Sequence, residues 1–443
     1  MTPKRHPTRR HFLAASSGAM AAGTVCGQEP TGDSAPDARL AVDGGPKAVS
    51  EPMPHLVRWG EPERERLEAM LGQDSLFYWK GPQSNLMIER FRQICPLEHV
   101  QPCSSGTAAL HIAVSAAGIE PGAEVITSPI TDIGTVVGVL YQQAVPVFAD
   151  LERNSYNLDP ADVAQRINPR TRAIIAVHLA GNPCDMDALK ALADQHGLVL
   201  IEDCAQAWGA QYQGKPIGTT GHIACFSFQN SKHITCGDGG VVASSDERYG
   251  PLLQRFGDKG FDRLGKGGLF ESFATNYRMS EPQAAIAAAQ LTRLEGIAAK
   301  RARLGRLLTT QIADVPGIEA HGVRPDDRCT YWFYMLRLRL GTLRCDRAEF
   351  VRALVAEGVP ASAGYIPVPL YGNPVFRNHG FFAGRWPAKD LGLTSMDYSS
   401  VCCPEAEAIL EAGVRVVVHE GMSEAYIRSV AAAIRKVASH SAA

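Results

Sequence analysis

The chain has 443 residues, 45% hydrophobic and 20% charged, with a formal net charge of −2. That composition is globular and the length accommodates one large domain plus a smaller one. No basic block follows the first ten residues and no apolar run reaches about 18 residues, so neither nucleic acid nor a membrane span is expected. The eleven cysteines show no C-x-x-C spacing. They read as buried free thiols, with no metal site expected.

Residues 1–38 read as leader and linker. Thr8-Arg9-Arg10-His11-Phe12-Leu13 resembles a twin-arginine export signal, followed by an Ala/Gly-rich stretch and a small-residue cleavage site at Ala19-Met20-Ala21. That route moves folded proteins, so the periplasm is the expected location; without export it is the cytoplasm. Residues 28–38, rich in Pro, Gly, Asp and Ser, form the linker.

The folded chain begins near residue 39. Gly60-Glu61-Pro62 opens a helix over 63–71, and Tyr78-Trp79-Lys80-Gly81-Pro82 is an aromatic-glycine turn. Cys103-Ser104-Ser105-Gly106-Thr107 then gives way to a helical apolar pattern. Free N–H groups at a helix start attract anions. Gly106 permits close backbone approach and Thr107 adds a hydroxyl, although S-G-T is also an ordinary helix cap. Strands at 124–127, 145–149 and 173–179 alternate with helices at 133–142, 160–167 and 186–196. A further strand runs into Asp203. This rhythm predicts an α/β sheet covered by helices. After a glycine-rich patch at 260–268, expected to be a mobile loop, Ser280 starts an Ala-rich helix reaching about residue 303. A strand at 331–340, a helix at 347–357 capped by Asp346, a strand near 416–419 and a last helix at 423–437 follow. The expected division is 39–300 for a large domain and 301–443 for a small one.

The chemistry concentrates between residues 201 and 240. Asp203 ends one apolar run, and Lys232 follows a second that closes on Phe226-Ser227-Phe228. Small and hydroxyl residues surround the lysine. Pyridoxal phosphate needs a lysine amine as anchor, a buried carboxylate to keep its ring nitrogen protonated, and neutral donors for its phosphate. Asp203, Lys232 and the Gly106-Thr107 helix start supply that set.

Three motifs stand here in order: E-D-x-A-x-A-x-G from Glu202, S-F-x-x-x-K from Ser227 and T-x-G-D-G-G from Thr235. The chain thereby resembles the DegT/StrS family of pyridoxal-phosphate-dependent sugar and aminocyclitol aminotransferases, over about residues 39–438. The resemblance implies a fold-type I, aspartate-aminotransferase-like α/β fold, with a large mixed-sheet domain and a smaller C-terminal α+β domain. It implies Lys232 as cofactor anchor and proton carrier, and Asp203 as partner of the ring nitrogen. Gln206 would contact the ring hydroxyl, with Gly106, Thr107 and Ser227 at the phosphate. Asn276, in Asn276-Tyr277-Arg278-Met279-Ser280, would reach the phosphate of a neighbouring subunit, which requires at least a homodimer. Asp132, His178, Arg278 and Tyr365 are candidate substrate contacts. Two departures stand out. Asp132 occupies the place of an aromatic residue that stacks on the ring in relatives, and Gly364 replaces the histidine of an H-Y-x-P loop. The implied reaction moves an amino group from glutamate or glutamine to a keto-sugar or keto-cyclitol. Some relatives with histidine in place of the lysine are dehydratases; Lys232 is the transaminase residue. Dehydration or racemisation on the same fold, and a non-catalytic binding homologue, remain the alternatives.

Overall fold

A computed structural model describes residues 39–265, 270 and 272–442. The twin-arginine-like leader and residues 266–268 of the glycine-rich patch lie outside the described residues. In order come α1 (Glu61–Leu71), α2 (Pro82–Ile94), β1 (His99–Cys103), α3 (Gly106–Ala116), β2 (Glu124–Thr127), α4 (Gly134–Tyr141), β3 (Val145–Phe148), α5 (Pro160–Arg166), β4 (Thr171–Val177), α6 (Met186–His196) and β5 (Val199–Asp203). A short hairpin, β6 (Gln211–Tyr212) and β7 (Lys215–Pro216), precedes β8 (Ile223–Ser227), β9 (Gly240–Ser244), α7 (Gly250–Gly257), α8 (Glu281–Leu291) and α9 (Leu294–Ile312). The remainder is β10 (Ile318–Glu319), β11 (Tyr334–Leu338), α10 (Arg347–Ala356), β12 (Ala361–Ala363), the single-turn helices α11 (Pro374–Arg377) and α12 (Pro387–Asp390), α13 (Pro404–Ala412), β13 (Gly413–Val416) and α14 (Glu424–Ser441).

Seven strands form one mixed sheet in the order β1-β9-β8-β5-β4-β2-β3. Only β9 runs against the rest, pairing antiparallel with β8 and β1. The central strands are buried on both faces, which explains their unbroken apolar runs. One face packs on α3 through Ala109, Ile112 and Ala113, against Val125, Ile175 and Ile201. The other packs on α2 and α8 through Met87, Phe91, Ala284 and Ala288, around Trp208 and Phe226. A second, antiparallel sheet, β10-β11-β13-β12, shares a core with α9, α10 and α14 through Leu304, Leu336, Phe350, Val414 and Ile434.

Three expected elements change. The Ala-rich helix from Ser280 is two helices, α8 and α9, broken at Thr292-Arg293. There the Thr292 hydroxyl donates to the Ala289 carbonyl, and the Arg293 guanidinium reaches the carbonyls of Arg58 and Val57. The strand expected from residue 331 starts at Tyr334. Tyr331 is left-handed, with φ of 43°, and the flanking N–H groups of Thr330 and Trp332 bond to Gly181 and Ala180 instead. The strand expected near 416–419 ends at Val416, and the Val417 N–H bonds to Pro360. In the glycine-rich patch, the Asp262 carboxylate ties down Leu264 and Gly265 N–H groups and the Arg255 guanidinium.

Glu281 is completely buried. Its carboxylate accepts from the Gln83 and Ser84 N–H groups at 2.9 Å each, and from the Ser84 hydroxyl, so α8 caps the start of α2. A Cβ at Gly81 would fall 2.3 Å from this carboxylate, which explains the glycine of the aromatic-glycine turn. Replacing Glu281 with Ala strands two buried N–H donors. Urea unfolding is expected to show a loss of roughly 2–4 kcal/mol, with Glu281→Gln losing less.

Candidate functional site

The loops that leave β1, β2, β5 and β8 all open on the carboxyl edge of the parallel strands, where α/β sheets form their clefts. They enclose a cavity of about 280 Å³. Lys232, Asp203, Gln206, Ser227, Gly106, Thr107 and Asp132 all line it. Seven of the residues singled out from sequence thus meet in one place.

Lys232 is only 8% exposed. Its backbone is held at both ends: its N–H donates to the Gln229 carbonyl at 2.9 Å, and its own carbonyl accepts from the Arg58 guanidinium at 2.8 Å. Burial pushes the amine down to about 8, while Asp203 and Asp132 pull the other way. Near neutral pH the amine therefore exchanges readily between charged and neutral forms.

Asp203 ends β5. Burial is the main influence on its carboxyl and pushes it above the usual range, against the donors that hold it. Those donors are the Thr135 hydroxyl on Oδ2 at 2.8 Å and the Ala205 N–H on Oδ1 at 3.1 Å. Thr135 in turn shares a 2.8 Å bond with the Thr131 hydroxyl.

The opposite wall is the start of α3. Ser105 is its cap: its hydroxyl oxygen accepts from Ala108 N–H at 3.0 Å and its carbonyl from Ala109 N–H. The first-turn N–H groups of Gly106 and Thr107 are those a helix leaves without internal partners. A Cβ at Gly106 would lie 2.7 Å from the Ser227 Cβ, so only glycine lets α3 sit against the end of β8. The wall combines backbone donors with the Thr107 and Ser227 hydroxyls, a donor set suited to an anion.

The other predicted residues differ in placement. The Gln206 side-chain oxygen accepts from Ala180 N–H at 3.0 Å and its amide nitrogen donates to the Tyr365 hydroxyl at 3.3 Å. Tyr365 therefore stands behind Gln206. Asp132 accepts from Gly134 N–H at 2.8 Å, so this carboxylate caps the turn into α4 and its second oxygen remains for the cavity. His178 is fully buried and does not line the cavity. Its Nδ1 accepts from Cys184 N–H and its Nε2 donates to Glu202, both at 3.0 Å. Burial raises the Glu202 carboxyl, but the His178 bond and the Gly221 and Gly218 N–H groups outweigh it and hold it below the usual range. Asn276 and Arg278 do not reach this cavity either: Arg278 donates to the Asn276 side-chain oxygen at 2.7 Å and lies 3.6 Å from Asp258. As expected, the ten cysteines among the described residues are free thiols, eight of them buried. Among the described residues no helix is long and apolar enough to cross a membrane.

Two cavity residues escaped the sequence reading. Thr135 has no signal beyond lying in the helix after Asp132. Trp332 is a hundred positions from Lys232, yet the lysine Nζ lies 4.0 Å from its ring centroid.

The mixed α/β fold that carries this desolvated lysine and buried carboxylate is that of fold-type I aminotransferases. The X-ray structure of an aminotransferase from Psychrobacter cryohalolentis superposes with a TM-score of 0.79 at 29% identity, covering 88% of this chain and 99% of that one. That of S. venezuelae DesV in complex with a ketimine intermediate superposes at 0.73 with 31% identity, covering 85% and 94%. The chain belongs to the DegT/DnrJ/EryC1/StrS aminotransferase family, whose pattern matches residues 59–435. GDP-perosamine synthase of Caulobacter vibrioides is 34% identical, across 78% of this chain and 88% of its own length. L-glutamine:2-deoxy-scyllo-inosose aminotransferase of Streptomyces paromomycinus is 35% identical, across 74% and 81%. The protein is an aminotransferase.

Thr135→Val removes a donor to the buried Asp203 carboxylate. The Asp203 carboxyl then shifts further up, so the added cost is greatest at neutral pH and shrinks as pH falls and the group takes a proton. In cofactor-free protein the expected loss is about 1–3 kcal/mol at pH 7, and urea unfolding repeated at successively lower pH should show it narrowing.

Proposed function

We propose that the cavity binds pyridoxal phosphate and that the enzyme transfers an amino group from glutamate or glutamine to a keto-sugar or keto-cyclitol. The observation that carries this reading is the pairing of the buried Lys232 amine with the buried Asp203 carboxylate in one pocket. The fit to the cofactor rests on three contacts of different chemistry. The cradle at Gly106, which any Cβ would fill, and the Thr107 and Ser227 hydroxyls suit a phosphate. Asp203 suits a protonated ring nitrogen, and Lys232 suits an aldehyde carbon.

When bound, pyridoxal phosphate supplies a conjugated ring that takes up the electrons left when a substrate C–H bond is broken. Lys232 would anchor it, and its amine, when free, would be the group that accepts and returns the proton. An amine pushed down to about 8 suits both duties: enough is neutral to accept the proton, and the charged form returns it. Asp203, whose carboxylate accepts from the Thr135 hydroxyl and the Ala205 N–H, would hold the proton on the ring nitrogen. Gln206 is pinned by Ala180, which leaves its amide one hydrogen for the ring hydroxyl.

The amino donor follows relatives named for L-glutamine, and the acceptor class follows relatives that act on keto-cyclitols and nucleotide-linked sugars. We also read the protein as a homodimer in which Asn276 serves the partner's site, because within one chain it lies away from Lys232. Arg278 fixes the Asn276 oxygen, leaving the amide N–H groups as donors. Residues 39–300 and 301–443 act in this reading as the large and small domains. Export by the twin-arginine-like leader belongs to the proposal on sequence alone.

Two experiments test it. Lys232→Ala is expected to abolish transamination and the visible absorbance of lysine-bound pyridoxal; full activity in that variant would sink the assignment. Mixing unfolded Lys232→Ala and Asn276→Ala chains and refolding them together should restore roughly a quarter of wild-type activity, because hybrid dimers carry one intact site. No recovery would place Asn276 in its own chain's site, and an Asn276→Ala enzyme fully active by itself would place it outside any.

A further inference from the structure

We propose that Trp332 is a positioning residue for this reaction: its indole face holds the Lys232 amine in place and favours its protonated form. The inference rests on the reading of Lys232 as the working amine. It answers the departure at Asp132, a carboxylate that cannot give the site an aromatic wall at that position.

The half-buried indole is held at three points. Its Nε1–H donates to the Ser231 carbonyl at 2.7 Å, which ties the ring to the lysine's own loop. Its backbone N–H donates to Ala180 at 2.8 Å, the same residue whose N–H holds Gln206. Tyr365 meets it edge-on at 5.7 Å and 77°. The lysine Nζ then lies 4.0 Å from the ring centroid, close enough for a cation to gain from the π face.

The backbone beside it is strained. Tyr331 is left-handed, a conformation costly for a large side chain. Two glycines make room for it: a Cβ at Gly305 would lie 2.3 Å from the Tyr331 ring, and one at Gly181 would lie 2.7 Å from the Tyr331 nitrogen. Strain that packing sustains next to a cavity is a mark of a placed side chain. Without the left-handed turn, β11 would begin earlier and the indole would not be delivered to the lysine.

Several charged and titratable groups surround the amine. Asp203 and Asp132 face it across the cavity and favour its charged form. Asp238 stands on the cavity lining, Tyr365 lies behind Gln206, and His233 is the buried neighbour in sequence. Arg58 binds the lysine carbonyl. Of these neighbours only Trp332 adds an aromatic face at contact distance.

The test uses the full-length protein without added cofactor. Competitive labelling with acetic anhydride across pH, read on the Lys232 peptide by mass spectrometry, gives the titration of that amine. Trp332→Leu keeps an apolar neighbour but removes the π face, so the amine is expected to titrate about one unit lower than in wild type. Trp332→Phe should retain part of that difference. If the Leu variant does not fold, Trp332→Met makes the same comparison. In the cofactor-loaded enzyme, the Leu variant should lose about tenfold or more in kcat with KM nearly unchanged, the pattern of an interaction made only in the reacting state. An amine that titrates as in wild type, or a loss confined to KM, overturns the proposal. Because labelling needs no cofactor, this result stands apart from whether Lys232 anchors pyridoxal phosphate.

Discussion

The structure depends on keeping one lysine amine out of water. Pushing Lys232 from 10.5 to about 8 corresponds to roughly 3 kcal/mol set against the folded state. That cost is present below pH 8, where the amine is charged in its pocket. It fades as pH rises towards the unfolded value, because the unfolded chain then sheds its proton as well. Folding tolerates the cost because the surrounding elements leave the lysine nowhere else to go. Its backbone is clamped by Gln229 and Arg58, and its side chain is bounded by Trp332 and the carboxylates of Asp203 and Asp132. The buried carboxylate shows the same logic in reverse. Asp203 is driven up by burial and pulled down by Thr135 and Ala205, so the pocket carries two desolvated ionisable groups of opposite sign. Such pairs cluster where chemistry is done.

The sheet makes this affordable. Six of the seven strands run in the same direction, so the carboxyl ends of four of them deliver loops to the same edge. Glycine at 106 lets the start of α3 approach β8, and glycine at 240 lets β9 pass beneath it, since a Cβ there would fall 2.3 Å from the Ser105 carbonyl. The far segment 328–332 then crosses back to the edge. It bonds through Arg328, Thr330 and Trp332 to Gln211, Gly181 and Ala180, and the aromatic ring arrives over the lysine. A site built in this way draws on residues from 105 to 332, and its rigidity comes from both ends of that span.

Much of this was legible in the sequence because it is local. The Glu202-Asp203 strand end, the Ser227 to Lys232 spacing and the Ser105-Gly106-Thr107 helix start are each short patterns whose geometry follows from the chain around them. Several helix and strand limits in the sheet region followed from apolar runs: β2 and α6 begin and end where the pattern does, while the strand expected at 173–179 lies two residues earlier, at Thr171–Val177. The second helix, α2, carried a readable signal in Gly81-Pro82, but the reading stopped at the turn. What stayed hidden was set by tertiary contacts. The break at Thr292-Arg293 contains neither glycine nor proline; Arg293 turns the chain by reaching Arg58 and Val57. The left-handed Tyr331 is unreadable in a sequence that otherwise looks like a strand, and with it the place of Trp332. His178 was legible as a strand-end histidine, and the structure gives it to Glu202 rather than to the cavity.

The central claim is that the Lys232 pocket holds pyridoxal phosphate and exchanges amino groups on it. The visible absorption spectrum of the purified protein, before and after L-glutamate or L-glutamine, addresses that claim most directly. The account predicts a band from lysine-bound pyridoxal that converts to the pyridoxamine form with one of these donors. The absence of any band after reconstitution with pyridoxal phosphate would contradict it.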